Sequence, residues 1–279
     1  MGAGKRELDS GAAAARARSG ARATGEPGAH DLKSLRKTIR VLECFSILEP
    51  RLALSEIARR VGLPVSTTHR ILATLRGAGF VEQNGERDQY RLGLKLLELG
   101  SVVLATMELH REAAPFVEAL ARESGETVHL GVFHGSQVVS IEKMDSAHGL
   151  AMNITIGKGA PAYCTGVGKA LLAFQPEAIV EHVCRLGLRR YTAQTITDSR
   201  RLARELERVR GTGYAVDNGE HEAGVRCVAA PVRNHAGEVI ASLSVSGPAT
   251  RITSDAIPRL AERVKGVAAK LSAQLGYRG

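Results

Sequence analysis

Ser66, Thr67, His69 and Arg70 are crowded into one short segment, VSTTHRILATL, whose apolar residues leave them a face of their own. At a helical step of about 100° per residue, Thr68, Ile71, Leu72 and Leu75 fall on one side. Ser66, Arg70 and Ala73 point the opposite way, flanked by Thr67, His69 and Thr74. A small, polar and basic helix face suits the major groove of DNA. Short hydroxyls allow close approach, and a guanidinium can hold phosphate or pair in two-pronged fashion with guanine. A solvated helix face has the same composition, so the surrounding elements must decide between the two.

A second set of residues suits small-molecule chemistry. In Cys164-Thr165-Gly166-Val167-Gly168-Lys169, Thr165 is a plausible N-cap, and the N–H groups of Gly166, Val167 and Gly168 would face whatever sits at the helix start. Such a helix start is a natural seat for a carboxylate. Ser242, Ser244 and Ser246 share one face of a strand, with Ala241, Leu243 and Val245 on the other. Three aligned hydroxyls can line a polar cavity or face water. Asp217, Glu220, His221 and Glu222 cluster before Gly224-Val225-Arg226-Cys227. GVGKA is not a nucleotide-binding P-loop, because Tyr163 and Ala170 stand where that loop needs glycine and a hydroxyl residue. Cys227 with His221 and Asp217 would suit a nucleophile, but a cysteine beside Val-Ala-Ala reads as a buried core thiol. A metal set of Cys164, Cys227, His221 and Asp217 is the other alternative, which leaves a small-acid-binding or metal-binding protein without sequence-specific DNA contact. The expectation is no enzyme, no cofactor and no bound metal.

The elements around the first set are those of a winged helix-turn-helix. Apolar residues from Leu35 through Ile39, Leu42 and Phe45 to Leu48 make a first helical stripe over 34–48. Leu54, Ile57, Ala58 and Val61 form a second, stopped by Gly62, and Pro64 suits the first turn of a third. Phe80–Gln83, an Asn84-Gly85 tip and Gln89–Leu92 then read as a hairpin wing, with Arg87 and Arg91 placed for phosphate or minor-groove contact. Residues 94–125 read as a long connecting helix, rich in Leu and Val, that only Pro115 interrupts, or as two core helices that meet at Pro115. Beyond Thr127, β-type runs alternate with helical stretches, which fits an α+β domain.

Bulk properties agree with this division. The chain has 279 residues and a formal net charge of +9, and residues 32–93 alone hold 11 basic against 6 acidic side chains. The charge excess therefore concentrates where the groove-reading helix lies. Residues 1–31 are rich in Ala, Gly and Arg, and are expected to form a disordered arm, whose Arg16, Arg18 and Arg22 could touch DNA. That segment has no apolar core of a secretory signal, and no run suits a membrane span. Four cysteines, all far apart, suggest neither a zinc finger nor a disulfide scaffold. A cytoplasmic protein with reduced thiols is expected.

SLRKTIRVLECFSI, LSEIARRVGLPVSTTHRILATL and GFVEQ…YRLGLKLLELG resemble the N-terminal half of the IclR family of bacterial transcription regulators. ARESGETVHLGVF, YCTGVGKALLAF, GYAVDNGEHEAGVRCVAAPV and SLSVSGPATRIT are similar to its effector-binding domain in order and spacing. The resemblance covers roughly residues 32–275, and its GYAxD…GxRCxAAPV block is the specific part. It implies a winged helix-turn-helix domain at 32–93, a linker helix at 94–125 and a GAF-like α/β effector-binding domain at 126–279. It also implies that Gly166, Val167, Asp217, Cys227, Ser244 and Ser246 surround the effector, with Leu150 and Met152 as apolar wall. The implied partners are a palindromic double-stranded operator, a small metabolite of organic-acid type, and further copies of the chain in a homodimer or tetramer.

Overall fold

The computed structural model describes residues 33–84, 89–146 and 154–279. The arm at 1–31, Arg87, Leu150 and Met152 lie outside the described residues. The chain divides into two compact units between Leu97 and Glu98.

In the first unit, α1 (Lys33–Leu42), α2 (Leu54–Val61) and α3 (Val65–Gly77) pack beside a small sheet of β1 (Leu52–Ala53), β2 (Val81–Asn84) and β3 (Gln89–Leu92). The strands lie in the order β1-β3-β2 and pair antiparallel, with Val81 opposite Leu92 and Asn84 opposite Gln89. One apolar cluster holds the unit: Val41, Ile57, Val61, Leu72, Leu75, Val81 and Tyr90. Gly62 closes α2 at a φ of 65°, the left-handed conformation expected of a glycine stop. Pro64 stands just ahead of α3, not within its first turn.

The first helix is shorter than its apolar stripe suggests. It ends at Leu42, and Leu48 is 93% exposed. Ser46 Oγ accepts the Glu49 N–H at 3.1 Å, and Pro50 disfavours helical backbone at Glu49; both offer the chain a turn instead. The core anchor of α1 is Val41, a residue off the expected stripe.

The connecting helix is also broken elsewhere than expected. α4 (Leu94–Thr106) and α5 (Glu108–Ser124) meet at Met107, whose backbone is extended, while Pro115 sits inside α5. Thr106 Oγ1 bonds back to the carbonyls of Val102 and Val103, a hydroxyl competition that bends helices. Pro115 is tolerated because its side of α5 is exposed, where water can serve the freed Arg111 carbonyl. The apolar side chains of α4 (Leu94, Leu97, Leu99, Val102 and Val103) are exposed.

The second unit is built on a six-stranded antiparallel sheet. Its strands are β4 (Thr127–His134), β5 (Gln137–Met144), β6 (Gly159–Pro161), β7 (Ala215–Asn218), β8 (Val225–Arg233) and β9 (Val239–Pro248). They lie in the order β6-β5-β4-β9-β8-β7. The helices α6 (Gly166–Leu172), α7 (Glu177–Arg185), α8 (Ser199–Thr212) and α9 (Ile257–Gln274) complete the unit. One sheet face packs Leu243, Val245, Val228 and Leu130 against α5 and α9. The other packs Val138, Ala215 and Ala229 against α6 and α8. The alternation in β9 therefore has a plain cause: its aliphatic side meets α5 and α9, and its serines turn toward α6.

Candidate functional site

On α3, Thr68, Leu72 and Leu75 are buried, while Ser66, His69 and Arg70 are exposed and Thr67 is half-buried. Among the described residues, the side chains of Ser66, Thr67, His69 and Arg70 have no hydrogen bond or ion pair, so all four can serve an outside partner. Three other arginines of this unit, Arg59, Arg60 and Arg91, are already committed. Arg60 holds Glu49 with two bonds of 2.8 and 3.0 Å and Glu56 with one of 2.6 Å, and Arg59 holds Glu56. Arg91 is paired across the wing with Glu82 at 2.6 Å, so a phosphate must compete with that carboxylate.

In the second unit, a cavity of about 350 Å³ opens between the sheet and the start of α6. Gly166, Val167, Asp217, Cys227 and Ser246 line it together, although they come from α6, β7, β8 and β9. Strand register explains the meeting: Asp217 is opposite Cys227 on β7 and β8, and Cys227 is opposite Ser246 on β8 and β9. The close approach of α6 needs glycine, because a Cβ on Gly166 would sit 2.8 Å from Cys227 Sγ.

Ser244 is not part of that lining. It is fully buried, and its Oγ lies 3.0 Å from Nδ1 of His129, which does line the cavity. Ser242 is spent on the Ala230 carbonyl at 3.2 Å. The open choice between cavity and water thus resolves residue by residue: all three serines are buried, and only Ser246 reaches the cavity. The N–H groups at the start of α6 are less free than the sequence suggests. Thr165 caps the helix by accepting from Gly168 N–H at 3.2 Å.

Burial sets the protonation of the lining groups. It raises the Asp217 carboxyl to about 7, assisted by the nearby Glu220 charge and opposed by backbone N–H bonds from Glu220 and His221. It lowers His129 to about 4, with Lys143 pushing the same way, so the imidazole is neutral at physiological pH. The Cys227 thiol is raised to about 11, which makes it a poor nucleophile. With its carboxyl raised this far, Asp217 in its protonated form can meet an anionic ligand as a hydrogen-bond donor instead of a repelling charge.

A buried ion cluster supports this wall. Lys169, 1% exposed, donates to Glu205 Oε1 at 3.0 Å, to the Val216 carbonyl at 2.6 Å and to Glu220 Oε1. The Glu220 N–H in turn holds Asp217 Oδ1 at 2.6 Å. The lysine of GVGK therefore ties α6 to the turn that carries Asp217. Sequence reasoning missed both this role and His129. The lysine's acidic partners lie 36 and 51 residues away, and His129 is one polar position in an apolar strand. Tyr191 and His221, with ring centroids 5.0 Å apart, also border the cavity. Among the described residues, no group of three or more His, Cys, Asp or Glu side chains is arranged to hold a metal ion, and no helix is long and apolar enough to cross a membrane.

Comparison with known proteins covers both units. Residues 34–85 match the IclR helix-turn-helix domain, and residues 101–273 match the bacterial transcriptional regulator IclR C-terminal domain. The HTH-type transcriptional regulator KdgR of Escherichia coli is 38% identical over 243 residues, covering 85% of this chain and 92% of that protein. The crystal structure of Thermotoga maritima IclR shares 34% identity and a TM-score of 0.69, over 88% of this chain and 99% of that one. An IclR homologue from Microbacterium hydrocarbonoxydans, solved with 4-hydroxybenzoate, has a TM-score of 0.76 at 28% identity, over 87% of this chain and 98% of that one.

Proposed function

The chain belongs to the IclR family of bacterial transcriptional regulators, and from that premise we propose a cytoplasmic regulator that binds a palindromic operator through α3 and senses a small organic acid in the second unit. Its role is regulatory, not catalytic; the relatives it matches are transcription regulators. The observation that carries the reading is the unpartnered quartet of exposed Ser66, His69 and Arg70 with half-buried Thr67, on a helix whose other face is core. Ser66 and Thr67 allow close approach, Arg70 supplies the base or phosphate contact, and His69, Arg87 and Arg91 add phosphate contacts.

The cavity supports an acid effector through Gly166, Val167, Asp217, Cys227 and Ser246, with Ser244 behind them and Leu150 and Met152 as the proposed apolar wall. The homologue solved with 4-hydroxybenzoate shows a carboxylic acid bound by a protein of this architecture. The sheet and its helices form the effector domain, which we take to be GAF-like. The exposed apolar side of α4 supports self-association as a homodimer or tetramer, since a face of that kind is a common seat for a second copy. Two-fold symmetry would then match a palindromic site.

Sequencing of genomic fragments retained by the purified protein, at two salt concentrations, tests the proposal. It predicts a dominant palindromic site that survives the higher salt. Diffuse retention that vanishes with salt would mean that charge alone holds DNA, and would leave a small-acid-binding protein.

A further inference from the structure

We propose that the second unit holds a further ligand site, separate from the acid cavity, for a small phosphate monoester. A cavity of about 470 Å³ lies between α8 and β7. Arg201, Arg204, Glu205 and Arg208 line it from the helix, and Val216, Asn218 and Glu220 from the strand and the turn after it. A concavity of that size takes a small metabolite. It shares no lining residue with the acid cavity. Val216 and Asn218 face it, while Asp217 between them lines the acid cavity, as the alternation of a strand requires.

The charges of this cavity are unevenly spent. Arg201, Arg204 and Arg208 recur at steps of three and four residues, so they share one face of α8. Arg208 holds Glu205 by two hydrogen bonds of 2.9 Å. Lys169 donates to Glu205 Oε1 at 3.0 Å and to Glu220 Oε1, so both carboxylates of the lining already have a cation. Glu220 Oε2 is buried with no partner, so neither remaining arginine reaches it. Arg201 and Arg204 are exposed, and among the described residues their guanidiniums have no hydrogen bond or ion pair. Four cations thus stand against two carboxylates, which leaves two positive charges uncompensated. A phosphate monoester carries close to two negative charges at neutral pH, and its oxygens suit a pair of guanidiniums. Asn218 turns its oxygen to Arg226 at 2.6 Å, which leaves its amide N–H groups as further donors. Val216 offers apolar contact to the organic part.

Calorimetric titration of the full chain with glycerol phosphate and glucose 6-phosphate, at about 0.15 M salt to screen diffuse attraction, tests the site. At least one ester should bind saturably. The double variant Arg201→Ala/Arg204→Ala, which removes two exposed side chains, should bind it roughly tenfold or more weakly, the size of a lost charged hydrogen bond. Arg200→Ala removes an exposed arginine of the same helix that does not line the cavity, and should bind as wild type does. Succinate and inorganic phosphate should both bind more weakly than the ester. The proposal is overturned if neither ester binds, or if the double variant keeps wild-type affinity, which would seat the ester elsewhere. A loss in Arg200→Ala equal to that of the double variant would reduce the effect to net charge and overturn it too. Succinate as tight as the ester would overturn the choice of phosphate, and inorganic phosphate as tight as the ester would overturn the choice of an ester.

Discussion

The two units carry their chemistry in opposite ways. On α3, Ser66, His69 and Arg70 are exposed and unpartnered, and the helix beneath them is held by Leu72 and Leu75. Around the cavity, Asp217, Cys227, Ser244 and Ser246 are buried, and Ser244 and Asp217 are already hydrogen-bonded inside the protein. An exposed reader adapts to a large rigid partner at little cost to the fold. A buried sensor must satisfy its polar groups before any ligand arrives. Substitutions should therefore act on affinity in the first unit and on stability and affinity together in the second.

The largest effect expected is at Lys169. Lys169→Met leaves the buried Glu220 without its cation, while Glu205 keeps Arg208, and should destabilise the second unit by about 3–5 kcal/mol. Urea denaturation followed by circular dichroism reads this. A midpoint near wild type would mean the cluster is not the support it is taken for, and the contrast between the units would weaken.

Next is the close approach at Gly166. The single methyl of Gly166→Ala meets Cys227 Sγ at 2.8 Å and should cost about 1–3 kcal/mol as overpacking. Cys227→Ala in the same chain should restore part of that loss. Absence of any rescue would place the strain elsewhere.

In the first unit, Arg70→Ala should leave the melting temperature unchanged and weaken specific operator binding by about 1–3 kcal/mol. Fluorescence anisotropy with operator and scrambled duplexes checks it. A loss equal on both duplexes would make Arg70 a phosphate contact without base selectivity.

Two pH dependences sharpen the contrast further, and their signs differ. Asp217 has its folded pKa raised to about 7, so its contribution is full at low pH and is lost as pH rises from the ordinary carboxylate range through 7. Asp217→Asn should flatten that slope. His129 has its folded pKa lowered to about 4, so its contribution is full above the ordinary histidine value and is lost as pH falls from 6.5 toward 4. His129→Gln should raise the acid tolerance of the fold. Thermal melts from pH 4 to pH 8 separate the two, and a wild-type slope in both variants would show that neither group titrates as described. The smallest effect belongs to Arg91→Ala, which removes only an exposed pair with Glu82 and should change stability by no more than about 1 kcal/mol.

The same contrast governs how much the sequence discloses. The α3 face is legible because helical periodicity and local composition define it within a dozen residues. The β9 alternation is legible too, but not the fate of each serine. Ser244 is turned to His129 by strand pairing across 115 residues, and no local pattern carries that register. Lys169 looks like a failed phosphate loop until the fold brings Glu220 to it. The end of α1 and the break at Met107 went unseen because side chain-to-backbone bonds at Ser46 and Thr106 outweigh an apolar stripe. β6 and β7, of three and four residues, are too short for alternation to register.

If the buried acid site governs the exposed DNA reader, the two binding events must be thermodynamically linked. Operator affinity would be measured with and without a saturating acid that binds by calorimetry, and acid affinity with and without operator. Both ratios should depart from one by the same factor, roughly 5–150-fold for an ordinary allosteric coupling. An operator affinity unchanged at full acid occupancy would contradict it.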